Sequence, residues 1–220
     1  MNPISAFQYI NTQLNTLSKH KPIRVAVNGI EGAGKTVFAK NFTAYLNNIG
    51  KTAIHISIDG FHFEKTFRYR KGRAVARGYY EDAYNECVFV EKVLLSSQKP
   101  NPKVTTAIHD LDTDKNLNYT PKEINNETII ITDGAYLFKP IYRNHWDFKI
   151  YLKTDFKTAL KRVVVRDASL LGGVKSTKEL YKSRYHKASE IYIKENNPEK
   201  FADIVFDNTD VDNIKIHELR

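Results

Sequence analysis

Residues 29–36 read Gly29-Ile30-Glu31-Gly32-Ala33-Gly34-Lys35-Thr36 and match the pattern G-x-x-x-x-G-K-[ST] at every defined position. Glycines let the backbone turn tightly and bring successive N–H groups close to a polyphosphate. The lysine adds a positive charge for the β- and γ-phosphates, and the threonine hydroxyl suits Mg²⁺. We therefore expect this run, together with the following Val37, to bind the phosphates of a nucleotide.

The sequence on either side of the loop fits this interpretation. Residues 23–27 are a short, nearly continuous apolar run, which is typical of a parallel strand covered on both faces. Apolar residues from 37 to 46 fall on one broad helical stripe, and Gly50 follows as a stop signal. A strand, a glycine-rich loop and a helix in this order predict a P-loop.

Length and composition indicate one globular domain spanning residues 1–220. Hydrophobic residues make up 41% of the chain and charged residues 27%, a balance that suggests neither disorder nor a fibrous class. No apolar run approaches the roughly 18 residues of a membrane span, and the first residues lack the layout of a signal peptide. We expect a protein of the cytoplasm that does not engage a membrane.

The net charge of +9 favours polyanionic ligands in general, so nucleotide and nucleic acid stay equally open on charge alone. The one cysteine, Cys87, lies among apolar residues and has no companion for a disulfide or a zinc site. We expect it to be a small core residue.

Strand and helix patterns alternate along the rest of the chain. Strand patterns occur at residues 52–58, 128–132, 146–152 and 203–206, and helical spacing occurs at residues 4–17, 82–96, 155–169 and 176–196. Ser176 and Glu179 predict a capping box at the start of the last helix. Residues 104–110 predict a strand that pairs near residues 118–120. The alternation predicts an α/β fold whose mostly parallel sheet carries helices on both faces.

Two of the predicted strands end in an acidic residue followed by glycine. Asp59 follows the strand at residues 52–58, at a strand end that we expect next to the P-loop, and it suits a general base, a ligand of magnesium-bound water or a turn. Asp133 follows the strand at residues 128–132. We expect it to hold Mg²⁺ together with Thr36, and a plain turn is the alternative.

Two groups of basic residues have several interpretations. Residues 61–80 show no sustained periodicity and hold five basic residues among aromatic ones, which fits a solvated loop, a phosphate clamp or an RNA-binding patch. Arg162 and Arg166 are four residues apart, so they either reach a polyphosphate from a lid or are solvated. Residues 171–175 interrupt the helical pattern and predict a hinged flap.

The P-loop and six further segments of this chain resemble, in the same order, segments of the uridine kinase and phosphoribulokinase group of P-loop kinases. Beyond the P-loop they are Ser57-Ile58-Asp59-Gly60-Phe61-His62, Arg68-Tyr69-Arg70-Lys71-Gly72-Arg73, Gly78-Tyr79-Tyr80-Glu81-Asp82-Ala83-Tyr84, Ile131-Thr132-Asp133-Gly134-Ala135-Tyr136-Leu137-Phe138, Lys161-Arg162-Val163-Val164-Val165-Arg166-Asp167 and Ala202-Asp203-Ile204-Val205-Phe206-Asp207-Asn208-Thr209-Asp210. The resemblance spans residues 22–216. It implies a P-loop NTPase fold like that of nucleoside and nucleotide kinases, with ATP as the phosphoryl donor and Mg²⁺ as the metal.

The resemblance also implies roles for particular residues. Asp59 would activate the acceptor hydroxyl, Lys35 and Arg166 would approach the transferred phosphate, and Arg162 would assist at the nucleotide. The lid would lie near residues 166–176 and the acceptor-binding insertion near residues 61–120. The residues that would contact the acceptor are His62, Arg73, Tyr80, Asp82, His109 and Asp110.

For the acceptor, the resemblance implies a small molecule with a hydroxyl group, uridine or cytidine first. Related kinases act on pantothenate, glycerate or a sugar phosphate, which are the alternatives. A protein of another class, an NTP-dependent switch or RNA-binding module, would use the basic residues at 61–80. We expect the kinase, without nucleic acid as a partner; a homo-oligomer stays open.

Overall fold

The computed structural model describes residues 1–17 and 20–219. In this part of the chain the strands are β1 (Ile23–Gly29), β2 (Ala53–Ser57), β3 (Lys103–Val104), β4 (His109–Asp110), β5 (Lys115–Asn116), β6 (Lys122–Glu123), β7 (Ile129–Gly134), β8 (Phe148–Lys153), β9 (Ile204–Asp207) and β10 (Lys215–Leu219). Six of them form the main sheet, in the order β10-β9-β8-β1-β7-β2. All neighbouring pairs are parallel except β9 and β10.

Helices cover both faces of this sheet. The α-helices of the described residues are α1 (Pro3–Leu14), α2 (Lys35–Asn48), α3 (Lys65–Arg68), α4 (Ala76–Asp82), α5 (Glu86–Phe89), α6 (Pro140–Arg143), α7 (Phe156–Asp167), α8 (Val174–Leu180), α9 (His186–Asn196) and α10 (Pro198–Phe201). Short 3-10 helices occur at Ile58–Phe61 and Ser96–Gln98, and π-helical turns at Val90–Leu95 and Tyr181–Tyr185. None of the helices within residues 1–17 and 20–219 combines the length and apolarity that a membrane crossing requires.

The central strands are apolar because both of their faces are covered. In β7, Ile130 packs into one buried cluster, which includes Tyr80, Tyr136 and Tyr192. Its neighbours Ile129 and Ile131 pack into the other cluster, where α1 and α2 contribute Phe7, Phe38, Phe42 and Leu46. Successive side chains of a strand point to opposite faces, so an unbroken apolar run is what a doubly covered strand requires.

The predicted α/β fold with a mostly parallel sheet is confirmed, while several details of the prediction are wrong. The strand order was not predicted: β2 pairs with β7, which lies between β2 and the P-loop strand β1. The antiparallel β10 was not predicted. Strand pairing near residues 118–120 was also wrong, because β3 pairs with β6 and β4 with β5. Cys87 is exposed instead of being a core residue.

Two helix starts differ from the predicted ones for local reasons. The helix α4 begins at Ala76, inside residues 61–80, and its seven residues are too few to show a helical period. The next helix begins at Glu86, where the Asn85 side chain accepts a hydrogen bond from the Val88 N–H (3.3 Å). The helix at 174 begins directly after Gly173, so Ser176 lies inside it and forms no capping box.

Gly134 ends β7 where the backbone packs closely against the segment after β2. A Cβ placed there would overlap the Ile58 side chain, with the Ile58 Cβ at 2.9 Å. We expect Gly134→Ala to lower the free energy of unfolding by about 1–3 kcal/mol, the usual cost of overpacking. The matched control is Gly78→Ala in α4, where the new Cβ would meet only the Lys71 side chain, at 3.2 Å.

Urea unfolding of both variants, followed by far-ultraviolet circular dichroism, measures the difference. The Gly78→Ala variant should stay within about 1 kcal/mol of the parent, because alanine is favoured in a helix. Equal stability of the Gly134→Ala variant and the parent would contradict the close approach at the end of β7.

Candidate active site

The loop at residues 29–36 connects β1 to α2 and has the geometry of an anion-binding turn. Gly32 and Gly34 have φ values of +87° and +90°, which favour glycine. A Cβ on Gly32 would lie 2.6 Å from the Ala159 carbonyl oxygen, so the loop also packs against α7. The Lys35 ammonium donates to the Ile30 carbonyl (3.0 Å) and lies 3.8 Å from the Glu31 carboxylate. The lysine therefore arches back over the loop.

Asp133 lies at the carboxyl end of β7, beside the start of α2. The Thr36 hydroxyl donates to one oxygen of its carboxylate (2.5 Å), and the Nε2 atom of His55 lies 2.6 Å from the other. Burial alone would raise the pKa of Asp133, but the hydrogen bonds from His55 and Thr36 outweigh burial and hold that pKa below its ordinary value. The carboxylate is therefore ionised, and its oxygen atoms and the Thr36 hydroxyl are the hard donors that Mg²⁺ prefers.

Asp59 lies two residues beyond β2, in the short 3-10 helix. Its side chain is exposed and lines a cavity of about 110 Å³, which Lys35, Thr36 and Asp133 also line. The Tyr84 hydroxyl donates to its carboxylate (3.3 Å). Its depth in the cleft and then the neighbouring negative charges of Glu31 and Asp133 raise the pKa of Asp59 to about 7. A carboxyl with this pKa can accept a proton near neutral pH.

A chain of side chains links the P-loop to Asp59, and sequence reasoning missed it. The Tyr79 hydroxyl donates to the Glu31 carboxylate (3.0 Å) and lies 3.5 Å from the Tyr84 hydroxyl, which in turn contacts Asp59. His55 was missed as well. It precedes Ser57 and Asp59 at spacings of two, so their alternation along β2 was the available signal.

The two arginines of α7 lie on the other side of the P-loop. Arg162 donates to the carbonyl oxygens of Asn208 (2.8 Å) and Thr209 (3.0 Å), and the Asn208 amide donates to the Ala33 carbonyl (2.7 Å). Arg166 lines the cavity that contains Asp59. It donates to the carboxylate of the adjacent Asp167 and to the Tyr181 hydroxyl (3.0 Å).

A second, mostly apolar cavity of about 390 Å³ adjoins the P-loop at the start of α2. Phe7 and Phe38 lie on one side, Val211 and Ile214 belong to the C-terminal segment, and Arg166 lines this cavity as well as the first. Its size and apolar lining suit the flat base of a nucleotide whose phosphates lie on the loop.

The structure does not bring the six predicted acceptor residues together in the cavity of Asp59. His62 is buried, with its Nδ1 atom 2.8 Å from the Asp59 carbonyl oxygen, and burial lowers its pKa to about 3. Tyr80 accepts from Asn196 (2.8 Å). Contacts of His62 and Tyr80 with an acceptor therefore stay predictions, since in this structure both side chains bond to other residues of the protein.

The other four residues are also engaged elsewhere or exposed. Asp82 is buried and pairs with Arg70 (2.6 Å). His109 lies 3.2 Å from Asp114, and Asp110 accepts from backbone N–H groups of the following turn. Arg73 is exposed, with its guanidinium 5.9 Å from the centre of the Tyr69 ring.

Known proteins that resemble this chain include kinases, as the geometry of the site suggests. The model of the phosphoribulokinase / uridine kinase family matches residues 24–215. A uridine kinase of Ureaplasma parvum serovar 3 is 26% identical over 157 residues, which cover 71% of this chain and 72% of that protein.

Two solved structures share the fold. A protein described as a possible uridine kinase from Bacillus stearothermophilus superposes with a TM-score of 0.73 at 19% identity, covering 91% of this chain and 97% of its own. The D-glycerate 3-kinase of Cryptococcus neoformans var. grubii superposes with a TM-score of 0.60 at 10% identity, covering 97% and 98%. These likenesses extend over nearly the whole sheet and its helices.

The parallel sheet, the loop before α2 and the acidic strand ends define a P-loop kinase, an enzyme that transfers a phosphoryl group to a small molecule. The chain belongs to the phosphoribulokinase / uridine kinase family.

Proposed function

We propose that this kinase transfers the γ-phosphoryl group of ATP, with Mg²⁺, to a hydroxyl group of a small acceptor. One observation carries the proposal: a single cavity is lined by Lys35 of the P-loop and by the carboxylate of Asp59, whose pKa is raised to about 7. A phosphate-binding lysine and a carboxylate that can accept a proton are the two groups that this reaction needs side by side.

In this proposal Asp59 accepts the proton of the acceptor hydroxyl while the oxygen forms its bond to phosphorus. The bond between the transferred phosphorus and its bridging oxygen breaks, and ADP leaves. Lys35 and Arg166 stabilise the charge on the phosphoryl oxygens. Thr36 and Asp133 would hold Mg²⁺, which neutralises phosphate charge when bound. The apolar cavity of about 390 Å³ would hold the base of the nucleotide.

Uridine and cytidine are the first acceptors to examine, because the curated relative that matches this chain is a uridine kinase, although only 26% identical. Pantothenate, glycerate and sugar phosphates are the alternatives. Binding of RNA to residues 61–80 has less support. There Arg70 pairs with Asp82, Lys71 with Glu81 and Asp82, and Arg77 with Glu195, so much of the local positive charge is already neutralised.

An acceptor panel tests the proposal. The protein is incubated with ATP and Mg²⁺ and with uridine, cytidine, pantothenate, glycerate or a sugar phosphate, and ADP formation is measured. We expect ADP formation that depends on one class of acceptor, with the phosphorylated product found by mass spectrometry. Hydrolysis that needs no acceptor and rises with RNA would overturn the kinase and support the NTP-dependent RNA-binding alternative.

The pH dependence of kcat/KM gives a separate prediction. Asp59 must be ionised to accept a proton, so kcat/KM should rise with pH through about 7 and, at pH 6, should lie about tenfold below its plateau. The Tyr84 hydroxyl lowers the pKa of Asp59, so Tyr84→Phe should move this inflection to higher pH.

The control for this profile is Tyr142→Phe, because the buried Tyr142 hydroxyl has no hydrogen-bond partner among residues 1–17 and 20–219. That variant should keep the parent inflection. A profile that is flat from pH 5.5 to 8.5, or one that Tyr84→Phe leaves in place, argues against Asp59 as the base.

A further inference from the structure

Among the residues that the structure describes, Arg184 is a buried cation without a carboxylate partner. It lies in the π-helical turn Tyr181–Tyr185, and only 2% of it is exposed. In the part of the chain that the structure describes, four lysines and arginines are buried, and three of them have an acidic neighbour. Those pairs are Lys35 with Glu31, Arg68 with Asp114 and Lys139 with Glu86.

The surroundings of Arg184 are aromatic rather than acidic. Its guanidinium lies 4.8 Å from the ring centre of Tyr69, 4.9 Å from that of Tyr79 and 5.2 Å from that of Tyr185. The Nε–H group has no hydrogen-bond partner within the described residues. Tyrosine rings offset part of the cost of burying the charge. They do not supply the paired acceptor oxygens that a guanidinium fork matches.

We propose that Arg184 binds an anionic group of the phosphoryl acceptor, a carboxylate or a phosphate. This inference rests on the proposed function and names the class of acceptor: a small anionic alcohol rather than a neutral nucleoside. A buried arginine gains most from an anion that accepts two parallel hydrogen bonds, and both a carboxylate and a phosphate can do so.

Arg184 is joined to the proposed base through Tyr79. One face of the Tyr79 ring packs near the guanidinium, while its hydroxyl contacts Glu31 and lies 3.5 Å from the Tyr84 hydroxyl. Tyr84 in turn contacts Asp59. An acceptor whose anionic end pairs with Arg184 would therefore extend along these tyrosines toward Asp59 with its hydroxyl end.

Tyr69 lies between Arg184 and an exposed segment, and its hydroxyl group interacts with the Arg184 guanidinium. It is half-buried at the end of α3, and the following residues 70–75 are exposed, with Gly72 at φ +102°. The guanidinium groups of Arg68 and Arg73 also lie near the Tyr69 ring, at 5.4 and 5.9 Å from its centre. Arg68 is paired with Asp114. Within the described residues, the positive charges near this ring without a carboxylate partner are therefore those of Arg73 and Arg184, and they favour an anion here.

The test compares Arg184→Gln with the parent across the acceptor panel. For the anionic acceptors we expect kcat/KM to fall about 10- to 150-fold, mainly through KM, which is the loss expected for a hydrogen bond to a charged group. The KM for ATP should change less than threefold. Glycerate and pantothenate test whether Arg184 binds a carboxylate, and a sugar phosphate tests whether it binds a phosphate. Arg184→Lys, which keeps the charge, should restore part of the loss.

The matched control is Lys182→Gln, which removes one positive charge from an exposed position of the same turn. It should leave all acceptors unaffected. Circular dichroism and thermal unfolding check that each variant is folded. If Arg184→Gln does not fold, Arg184→Lys and a Tyr69→Ala variant, which removes the ring beside Arg184, replace it. If the KM for anionic acceptors is unchanged in both the Arg184→Lys and the Tyr69→Ala variant, the inference is overturned.

The two proposals fail in different ways. If the parent phosphorylates only neutral uridine or cytidine, the kinase stands and the role of Arg184 is overturned. If no acceptor supports ADP formation, the proposed function fails. In that case calorimetric titration with glycerate, pantothenate or a sugar phosphate, in the presence of a non-hydrolysable ATP analogue, examines Arg184 directly. Binding that Arg184→Gln abolishes supports an anion site, and the absence of binding overturns it.

Discussion

Asp59→Asn should lower kcat by roughly 10²–10⁴-fold, the usual contribution of a positioned general base. Asparagine keeps the size of the side chain and a contact with Tyr84, but it cannot accept a proton from the acceptor hydroxyl. The affinity for ATP should stay close to that of the parent, because the phosphates lie on the P-loop instead. Steady-state kinetics with the preferred acceptor and calorimetric titration with ATP measure both quantities.

The control for this variant is Asp112→Asn, the same change at an exposed position. Its turnover should stay within about twofold of the parent, as is usual for surface substitutions. Near-normal turnover of the Asp59→Asn variant would remove Asp59 from the mechanism. The raised pKa of Asp59 would then need a purely structural explanation.

Lys35→Ala should weaken ATP binding itself, by about 10- to 150-fold, because it removes a charged hydrogen bond to the β- and γ-phosphates. The Lys35 ammonium already lies over the loop, held by the Ile30 carbonyl at 3.0 Å, so little rearrangement is needed before it meets a phosphate. Calorimetric titration with ATP and with AMP measures the loss. AMP, which lacks these phosphates, should be affected much less.

Lys40→Ala provides the comparison, since Lys40 is an exposed lysine of the same helix. It removes the same charge without touching the loop, and it should leave the ATP affinity unchanged. An equal loss in both variants would mean that net charge alone governs ATP binding. An unchanged affinity in the Lys35→Ala variant would count against phosphate binding by the loop.

The donor side of the molecule was predictable because its signals are local. Eight consecutive residues carry the P-loop pattern, and β1 and α2 flank it where hydrophobic periodicity placed them. Asp59 follows β2 and Asp133 lies at the carboxyl end of β7, and the carboxyl ends of parallel strands meet at one edge of a sheet. The order of these strands was not predicted, because the sequence carries no signal for which parallel strand is the neighbour of another.

The acceptor side was much less predictable, because its contacts join distant residues. Tyr79 meets Glu31 from 48 positions away, and Arg184 meets Tyr69 across more than a hundred. The helix α4, which carries Tyr79 and Tyr80, is buried on most sides and shows no amphipathic period. Composition predicted that residues 61–80 are basic. It could not predict which of these charges are paired within the protein.

Glu31 gives the phosphate loop a carboxylate with one oxygen 3.8 Å from Lys35 and the other bound by the Tyr79 hydroxyl. The same tyrosine packs against Arg184 and neighbours the hydroxyl that contacts Asp59. A shift of this ring on nucleotide binding would therefore alter the affinity for the acceptor. Thermodynamic linkage then requires the acceptor to alter nucleotide affinity by the same factor. We therefore expect synergistic binding of the two substrates, measured by titrating each with and without the other, and we expect Glu31→Gln to reduce it.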